Sequence, residues 1–147
     1  MNTRETIYAA LFAKGLAAAG FTNVGRRLKH IDDLQPSDFP AFYQVQVAEE
    51  WAQKQTNLPP KGALHAEWWI YVYNNDGSSS HSQQLNPLID ALCGAVGLPP
   101  AFNPGTGEQT LGGLVTSVTL DGKIDYAEGA LDDRGFARIP LVMYLPG

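Results

Sequence analysis

The longest alternation of apolar and polar positions in the sequence runs over Leu64–Tyr73 and predicts a strand. Successive side chains of a strand point to opposite faces of the sheet. The first face is apolar, and its residues are Leu64, Ala66, Trp68, Ile70 and Val72. The second face is aromatic with polar tips, and its residues are His65, Glu67, Trp69, Tyr71 and Tyr73. We therefore expect both faces of this strand to be covered.

A helical period of apolar positions predicts a first helix over Thr3–Ala19. Asn2 and Glu5 have the spacing of a capping box, with Asn2 as the N-cap. Gly20 follows the last periodic position, where glycine commonly ends a helix. The apolar stripe of this helix is expected to pack in the core, and it consists of Ile7, Tyr8, Leu11, Phe12 and Leu16.

A second helix is predicted to end near Val96, because Gly97 and two prolines follow it. Proline disrupts the interior of a helix. We therefore expect Asn86 to be the N-cap and Pro87 to occupy the first helical position, and a separate turn before them is the alternative. The buried stripe is predicted to be Leu88, Ile89, Leu92 and Val96.

Two shorter strands and a loop are predicted between residues 24 and 61. Val24–Ile31 indicates a strand with a basic side, made of Arg26, Arg27, Lys29 and His30. Ala41–Ala48 alternates as a half-buried strand does, with Gln44 and Gln46 opposite Tyr43, Val45 and Val47. Glu49–Lys61 is predicted to be a long polar loop, a kind of segment that is often functional. Trp51 in this loop is a candidate contact residue, and the alternative is that it folds back on the core.

The C-terminal part of the chain has the short alternating segments of β structure. Leu114–Leu120 and Lys123–Glu128 are predicted to be strands that the dipeptide Asp121-Gly122 joins in a two-residue hairpin. A last strand is expected over Phe136–Leu145. Pro140 cannot donate a ladder hydrogen bond, so this strand is expected at an edge or margin of the sheet.

These elements predict one domain over residues 1–147 with an α+β fold. The sheet is expected to be mixed and mostly antiparallel, with two main helices packed on one face. That arrangement leaves the opposite face of the sheet without a helix to cover it.

Composition and charge favour a globular protein that does not act on nucleic acid. The chain is 44% hydrophobic and 17% charged, with a net charge of −5. Residues 1–62 carry 7 Lys/Arg and 6 Asp/Glu, and residues 63–147 carry 3 and 9. Nucleic-acid binding needs a basic surface, so a chain that is acidic overall does not favour that function. The uneven charge could orient copies of the chain against one another, or serve solubility alone.

The cysteine content and the hydropathy pattern predict a cytoplasmic site of folding. The single cysteine, Cys93, lies in an apolar helical run and is expected to be a buried structural thiol. We see neither an apolar secretion signal at the N-terminus nor a run of about 18 apolar residues long enough for a membrane span.

The sequence does not have the residue patterns of common catalytic or metal sites. His30, His65 and His81 have no partner at metal-ligand spacing, and no nucleophile elbow occurs. We therefore expect no enzymatic activity, no cofactor and no metal. His65, Glu67 and Trp69 share one face of a strand, where they could line a small-molecule pocket. A protein contact surface is favoured, because Trp and Tyr are enriched at interfaces.

Several segments, in their order and spacing along nearly the whole chain, resemble the tail terminator (tail completion) proteins of long-tailed bacteriophages. These segments are Arg4–Leu11, Arg26–Leu28, Phe39–Phe42, Ile70–Tyr73, Leu85–Leu92, Leu111–Val115, Leu120–Ile124 and Ala137–Leu141. The resemblance implies an α+β subunit of a hexameric ring. Such a ring caps the finished tail tube, ends its polymerisation and offers a surface to the head or neck.

The resemblance also implies partners and a location. The partners are other copies of the chain, the tail-tube protein and a head-completion or neck protein, with neither a membrane nor a specific nucleic-acid sequence. The implied location is the head-proximal end of the tail in the virion, after assembly in the host cytoplasm. The candidate interface residues are Arg26, Arg27, Lys29, Trp51, His65, Glu67, Trp69 and Tyr71. The alternatives are another connector or neck protein, a small capsid-associated protein, and a small-molecule-binding domain or enzyme.

Overall fold

A six-stranded mixed sheet and two α-helices make up the fold in the computed structural model, which describes residues 3–52, 61–76, 79–99, 108–127 and 133–146. The elements are α1 (Arg4–Ala18), β1 (Asn23–Gly25), β2 (Ala41–Ala52), β3 (Lys61–Tyr73), α2 (His81–Ala95), β4 (Ser117–Leu120), β5 (Asp125–Ala127) and β6 (Arg134–Tyr144). The strand order is β1-β2-β3-β6-β4, and β5 also pairs with β6. β1 and β2 run parallel, and the other pairs are antiparallel. The predicted α+β class is confirmed.

β3 is the central strand, paired with β2 on one side and with β6 on the other. The predicted strand is confirmed, and it begins three residues earlier, at Lys61. Leu64, Trp68 and Ile70 are fully buried on the face that the helices cover. On the opposite face Tyr71 is 4% exposed and its strand neighbours are half-buried. The expectation that both faces are covered therefore holds in full on one face and in part on the other.

α1 packs on the sheet through the predicted apolar stripe, which is narrower than expected. Ile7 and Leu11 are buried, whereas Leu16 is 38% exposed. The prediction of Asn2 as the N-cap is wrong, because Thr3 occupies that position. The Thr3 hydroxyl accepts a hydrogen bond from the backbone N–H of Thr6 at 3.1 Å, which satisfies one of the unpaired donors of the first turn.

α2 begins earlier than predicted, and Pro87 lies inside it. Ser80 is the N-cap, and its backbone N–H donates to Gln83 Oε1 at 2.8 Å. This reciprocal cap lies six residues before the predicted cap at Asn86. Pro87 takes an exposed position and removes a single helical hydrogen bond, the one its N–H would have donated to the Gln83 carbonyl. The predicted C-terminal end is confirmed to within a residue, and Gly97 follows with φ +72°.

The predicted face assignment of β2 is wrong, because its polar position Gln44 points into the core. Gln44 is 1% exposed and Val47 is 56% exposed. Gln44 Nε2 donates to the Tyr8 carbonyl oxygen of α1 at 2.9 Å, and Gln44 Oε1 accepts from the Trp68 indole N–H at 2.9 Å. Both polar groups of the amide are thereby satisfied, which removes the main cost of burying them. Val47 is exposed because a β-bulge shifts the register between Gln46 and Ala48.

The predicted polar loop Glu49–Lys61 is wrong at both ends. Residues 49–52 belong to β2, and Lys61 opens β3, so Trp51 lies in a strand. β2 and β3 pair as far as Ala52 opposite Lys61. The middle of the predicted loop, residues 53–60, lies outside the described residues.

The predicted strand Val24–Ile31 is reduced to β1, and the chain then crosses to the face of the sheet opposite the helices. Two short 3-10 turns, Ile31–Asp33 and Pro36–Asp38, lie in this crossing segment, residues 26–40. The segment buries a second apolar cluster made of Leu34, Ala41, Tyr43 and Tyr71. A connection of the same chain therefore covers part of the face that the helices leave open.

The predicted hairpin at Asp121-Gly122 is wrong, because β4 and β5 both pair with β6. The two strands lie end to end along the same side of β6. Pro140 lies opposite the break between them, and its carbonyl oxygen accepts from the Asp121 N–H at 3.0 Å. The nitrogen of Pro140 points to the same side of β6. Proline has no N–H to donate, and at this break no ladder hydrogen bond from it is needed. β6 is thus an inner strand whose proline sits at a local gap.

We predict that Gln44→Leu lowers the free energy of unfolding by about 1–3 kcal/mol, because it leaves the buried Trp68 N–H without an acceptor. The measurement is equilibrium unfolding in urea. Gln46→Ala, an exposed change two residues along the same strand, is the control and should have a much smaller effect.

A double-mutant cycle tests the contact between Gln44 and Trp68. Trp68→Phe in the Gln44→Leu background should lower the free energy of unfolding by less than Trp68→Phe alone. Strict additivity of the two changes would contradict the coupling.

Candidate functional site

The register of the sheet divides the eight candidate interface residues between its two sides. His65, Glu67, Trp69 and Tyr71 alternate along β3 on the face opposite the helices. Trp51 pairs with Gly62, so it lies on the other face, the one that carries the helices. The three basic candidates of residues 26–29 lie beyond β1, at the edge of the sheet. The predicted residues therefore form separate surfaces.

Tyr71 is covered by its own chain and does not offer a free surface. Its hydroxyl donates to the Lys29 carbonyl oxygen at 2.8 Å, which ties the crossing segment to β3. Burial raises the pKa of Tyr71 to about 12. A connection of the same chain therefore covers this part of the aromatic face of β3, on the side of the sheet that has no helix.

Trp69 remains half-buried beside an open groove of about 470 Å³. Its ring stacks on Phe136 of β6, with ring centroids 5.5 Å apart. The walls of the groove are the crossing segment on one side and aromatic rings on the other, namely Leu28, Lys29, His30, Ile31, Trp69, Tyr71 and Phe136. An apolar group that itself has a negative charge close by could bind in this groove.

Glu67 is held by Arg138, a residue that the sequence analysis did not single out. The Arg138 guanidinium donates to Glu67 and, at 2.5 Å, to Asp125 Oδ2 of β5. Arg138 lowers the pKa of Asp125 through that hydrogen bond. Glu67 also accepts from the Trp69 indole N–H at 3.2 Å. Arg138 is the charged residue in the apolar strand predicted over Phe136–Leu145, and this was the signal that could have identified it.

His65 lies between two carboxylates. Its Nδ1 is 2.5 Å from Asp121 Oδ2, in the break between β4 and β5, and its Nε2 is 3.1 Å from Glu50 Oε1 of β2. The second approach does not have hydrogen-bond geometry, and Nε2 is left without a hydrogen-bond partner. The side chain is 15% exposed. His65 of β3 therefore lies against one residue of β2 and one residue of the break between β4 and β5, as a structural residue would.

The three basic candidates have different surroundings. Arg26 bonds to the Glu5 carboxylate at 2.8 Å and to Gln46 Oε1 at 3.2 Å, so it ties α1 to β2. The Arg27 side chain is exposed. The Lys29 side chain is exposed as well, with Nζ 3.5 Å from Asn23 Oδ1. Arg27 and Lys29 are consequently better placed than Arg26 to meet another molecule.

Trp51 is 49% exposed and yet fixed in one orientation. Its indole N–H donates to Glu49 Oε2 at 2.7 Å, and Arg4 of α1 binds both oxygens of the same carboxylate. The ring lies over Gly62, where a Cβ atom would come within 2.5 Å of it. The glycine thus allows the tryptophan to lie flat against β3, with its outer side open to solvent.

Cys93 is buried in α2, as the sequence predicts. Burial raises the pKa of its thiol to about 11, so the thiolate is scarce at neutral pH. Among the described residues, no group of three or more His, Cys, Asp or Glu is placed to hold a metal ion.

We predict that Arg4→Gln raises the pKa of Glu49, which is about 2 in the native chain because Arg4 and Trp51 donate to its carboxylate. A lowered native pKa stabilises the fold above the unfolded value of 4.5, and this stabilisation is lost as the pH falls towards 2. The unfolding free energies of the two proteins should therefore converge between pH 4.5 and 2. Carboxyl NMR titration measures the pKa directly, and an unchanged value in the variant would contradict the contact.

The comparisons with known proteins leave the function to be argued from this geometry. No model of a known protein family matches the chain, and no curated protein matches its sequence. In the part of the chain that the structure describes, neither helix is long and apolar enough to cross a membrane.

Proposed function

We propose that this chain is a structural protein of a bacteriophage virion that assembles into a ring, of six copies, on the end of the tail tube. There it ends tube polymerisation and provides the attachment surface for the head or neck. The resemblance to tail terminators over nearly the whole chain is one support. The structural observation that carries the proposal is that the two outer edges of the sheet differ in charge.

The first outer edge is basic. It consists of β1 and the residues that follow it, and the sequence Asn23–Lys29 contains three cationic side chains and no acidic one. Two exposed apolar residues accompany them, Val24 at 42% and Leu28 at 37% exposure. This edge therefore combines positive charge with a small apolar surface.

The second outer edge is acidic. It consists of β4, β5 and the break between them, on the far side of the sheet from β1. Among the described residues 121–127 of this edge, Asp121 and Asp125 are acidic and Lys123 is basic, and the sequence that follows contains Glu128, Asp132 and Asp133. Tyr126 of β5 is exposed by 51% in the middle of this edge. The second edge is therefore the electrostatic counterpart of the first.

Two different and complementary surfaces on one subunit are what a head-to-tail ring requires. A closed ring uses the first surface of one copy against the second surface of the next copy, so neither remains free. Opposite charges bring the correct surfaces together and disfavour contacts between like surfaces. The candidates Arg27 and Lys29 act in this contact. Trp51, outside both edges, is fixed and exposed as an interface anchor would be, and it is available to the tube or neck protein.

A second candidate function, small-molecule binding, is favoured by one observation, the groove beside Trp69. The predicted pocket residues His65 and Glu67 do not line it, and their side chains contact Asp121 and Arg138 instead. The groove is also open to solvent, and aromatic rings form only one of its walls. A ligand that quenches or shifts the fluorescence of the native chain but not of Trp69→Phe would favour this candidate.

Native mass spectrometry tests the proposed function. We expect a ring-sized oligomer of the free chain, or one that forms when tail-tube protein is added, and we expect tube growth to stop at the ring. A chain that stays monomeric both alone and with tail-tube protein, and that leaves tube growth unchanged, would exclude a terminator ring.

We predict that Arg27→Glu weakens ring assembly with little change in thermal stability, since this side chain is exposed. Lys61→Glu is the matched control, because it makes the same change of charge at an exposed position outside both edges. Oligomer mass against concentration and the unfolding temperature are the two measurements. Equal loss of assembly in both variants, or a large fall in unfolding temperature for Arg27→Glu, would count against a specific basic edge.

A further inference from the structure

One row of paired residues crosses the sheet from one outer edge to the other. On the face that carries the helices, the register aligns Val24, Phe42, Ile70, Ala137 and Tyr126. The three inner residues of this row are fully buried, with 0% exposure each. The two ends, Val24 of β1 and Tyr126 of β5, are exposed by 42% and 51%. The row therefore ends at each edge in an apolar side chain that is exposed to solvent.

The two edges also have compatible strand directions. β1 runs parallel to β2, and each following step, from β2 to β3, β6 and β5, is antiparallel. β1 and β5 consequently run in opposite directions. If β5 of one copy lies beside β1 of the next copy, the two strands pair antiparallel, which is the slightly more stable arrangement.

We propose that β5 of each subunit pairs with β1 of the next, with Tyr126 opposite Val24 of the neighbouring copy, so that the sheets continue around the ring. This inference rests on the proposed function and specifies its contact. The pairing buries both exposed ends of the row and satisfies the free backbone groups of two edge strands.

The same alignment explains the residues on either side of the row. An antiparallel pair with Tyr126 opposite Val24 places Asp125 opposite Gly25 and Ala127 opposite Asn23. Gly25 has no side chain, so it leaves room beside the acidic Asp125. Beyond Gly25 the same register brings Arg26 level with Ile124 and Arg27 level with Lys123, so these charged side chains do not set the register. The strand pair thus sets the register, and the absence of a side chain at Gly25 leaves space for Asp125.

Cysteine cross-linking of the double variant Val24→Cys/Tyr126→Cys tests the inference. Directly opposite residues of an antiparallel pair have Cα atoms about 4.5–5.5 Å apart, within the range for a disulfide. The only native cysteine, Cys93, is buried and does not compete. After oxidation of the assembled protein, we expect a ladder of cross-linked chains that extends to the full ring.

The controls separate this contact from other ways of assembling. Each single variant, Val24→Cys or Tyr126→Cys, has one surface thiol and yields dimers at most. Leu16→Cys/Tyr144→Cys, with two exposed positions of similar accessibility outside the proposed contact, should yield no ladder. Thermal unfolding and oligomer mass before oxidation verify that every variant folds and assembles.

Two outcomes overturn the inference. The first leaves the proposed function intact, and the second contradicts the proposed function as well. If the double variant assembles into the native oligomer but gives no more cross-linked chains than the control pair, the strand contact is wrong and the ring proposal stands. If the native chain stays monomeric with and without tail-tube protein, both the contact and the proposed function are wrong.

Discussion

The constraint on which the rest of the structure depends is that β3 must be covered on both faces. α1 and α2 cover its helix side, where Trp68 is buried at the centre. Its other side is covered in part by the crossing segment of residues 26–40, which is fixed by the bond from Tyr71 to Lys29. This intramolecular cover changes where a partner can act, because it moves the free surface away from the aromatic face and towards the edges of the sheet.

Polar groups in the sheet are paired in ways that connect the strands. Gln44 joins α1, β2 and β3 inside the core, and Arg138 joins β3 to β5 on the opposite face. His65 lies between carboxylates of β2 and of the break after β4. Each of these groups has a structural partner. These contacts connect α1, β2, β3 and β5, and they leave the two outer edges of the sheet for the contact that we propose between copies.

The sequence was sufficient to predict β3, both helices and the α+β class, because long periodic patterns report burial directly. It was not sufficient for Gln44, because a satisfied buried amide depends on partners distant in sequence, Tyr8 and Trp68. The predicted hairpin at Asp121-Gly122 failed for a related reason, since β4 and β5 find their partner in β6. The predicted candidates Arg27 and Lys29 lie on one outer edge of the sheet. Tyr126 on the other edge was not predicted, because the row of paired residues that ends at Tyr126 forms only in the folded sheet.

The measurement that tests this account most directly is a cryo-electron microscopy reconstruction of the assembled chain at the end of a tail tube, at a resolution that separates strands. We expect a ring in which β5 of every copy lies beside β1 of its neighbour, with an unbroken sheet passing through the contact. A ring joined through α1 or α2, with β1 and β5 open to solvent, would contradict it.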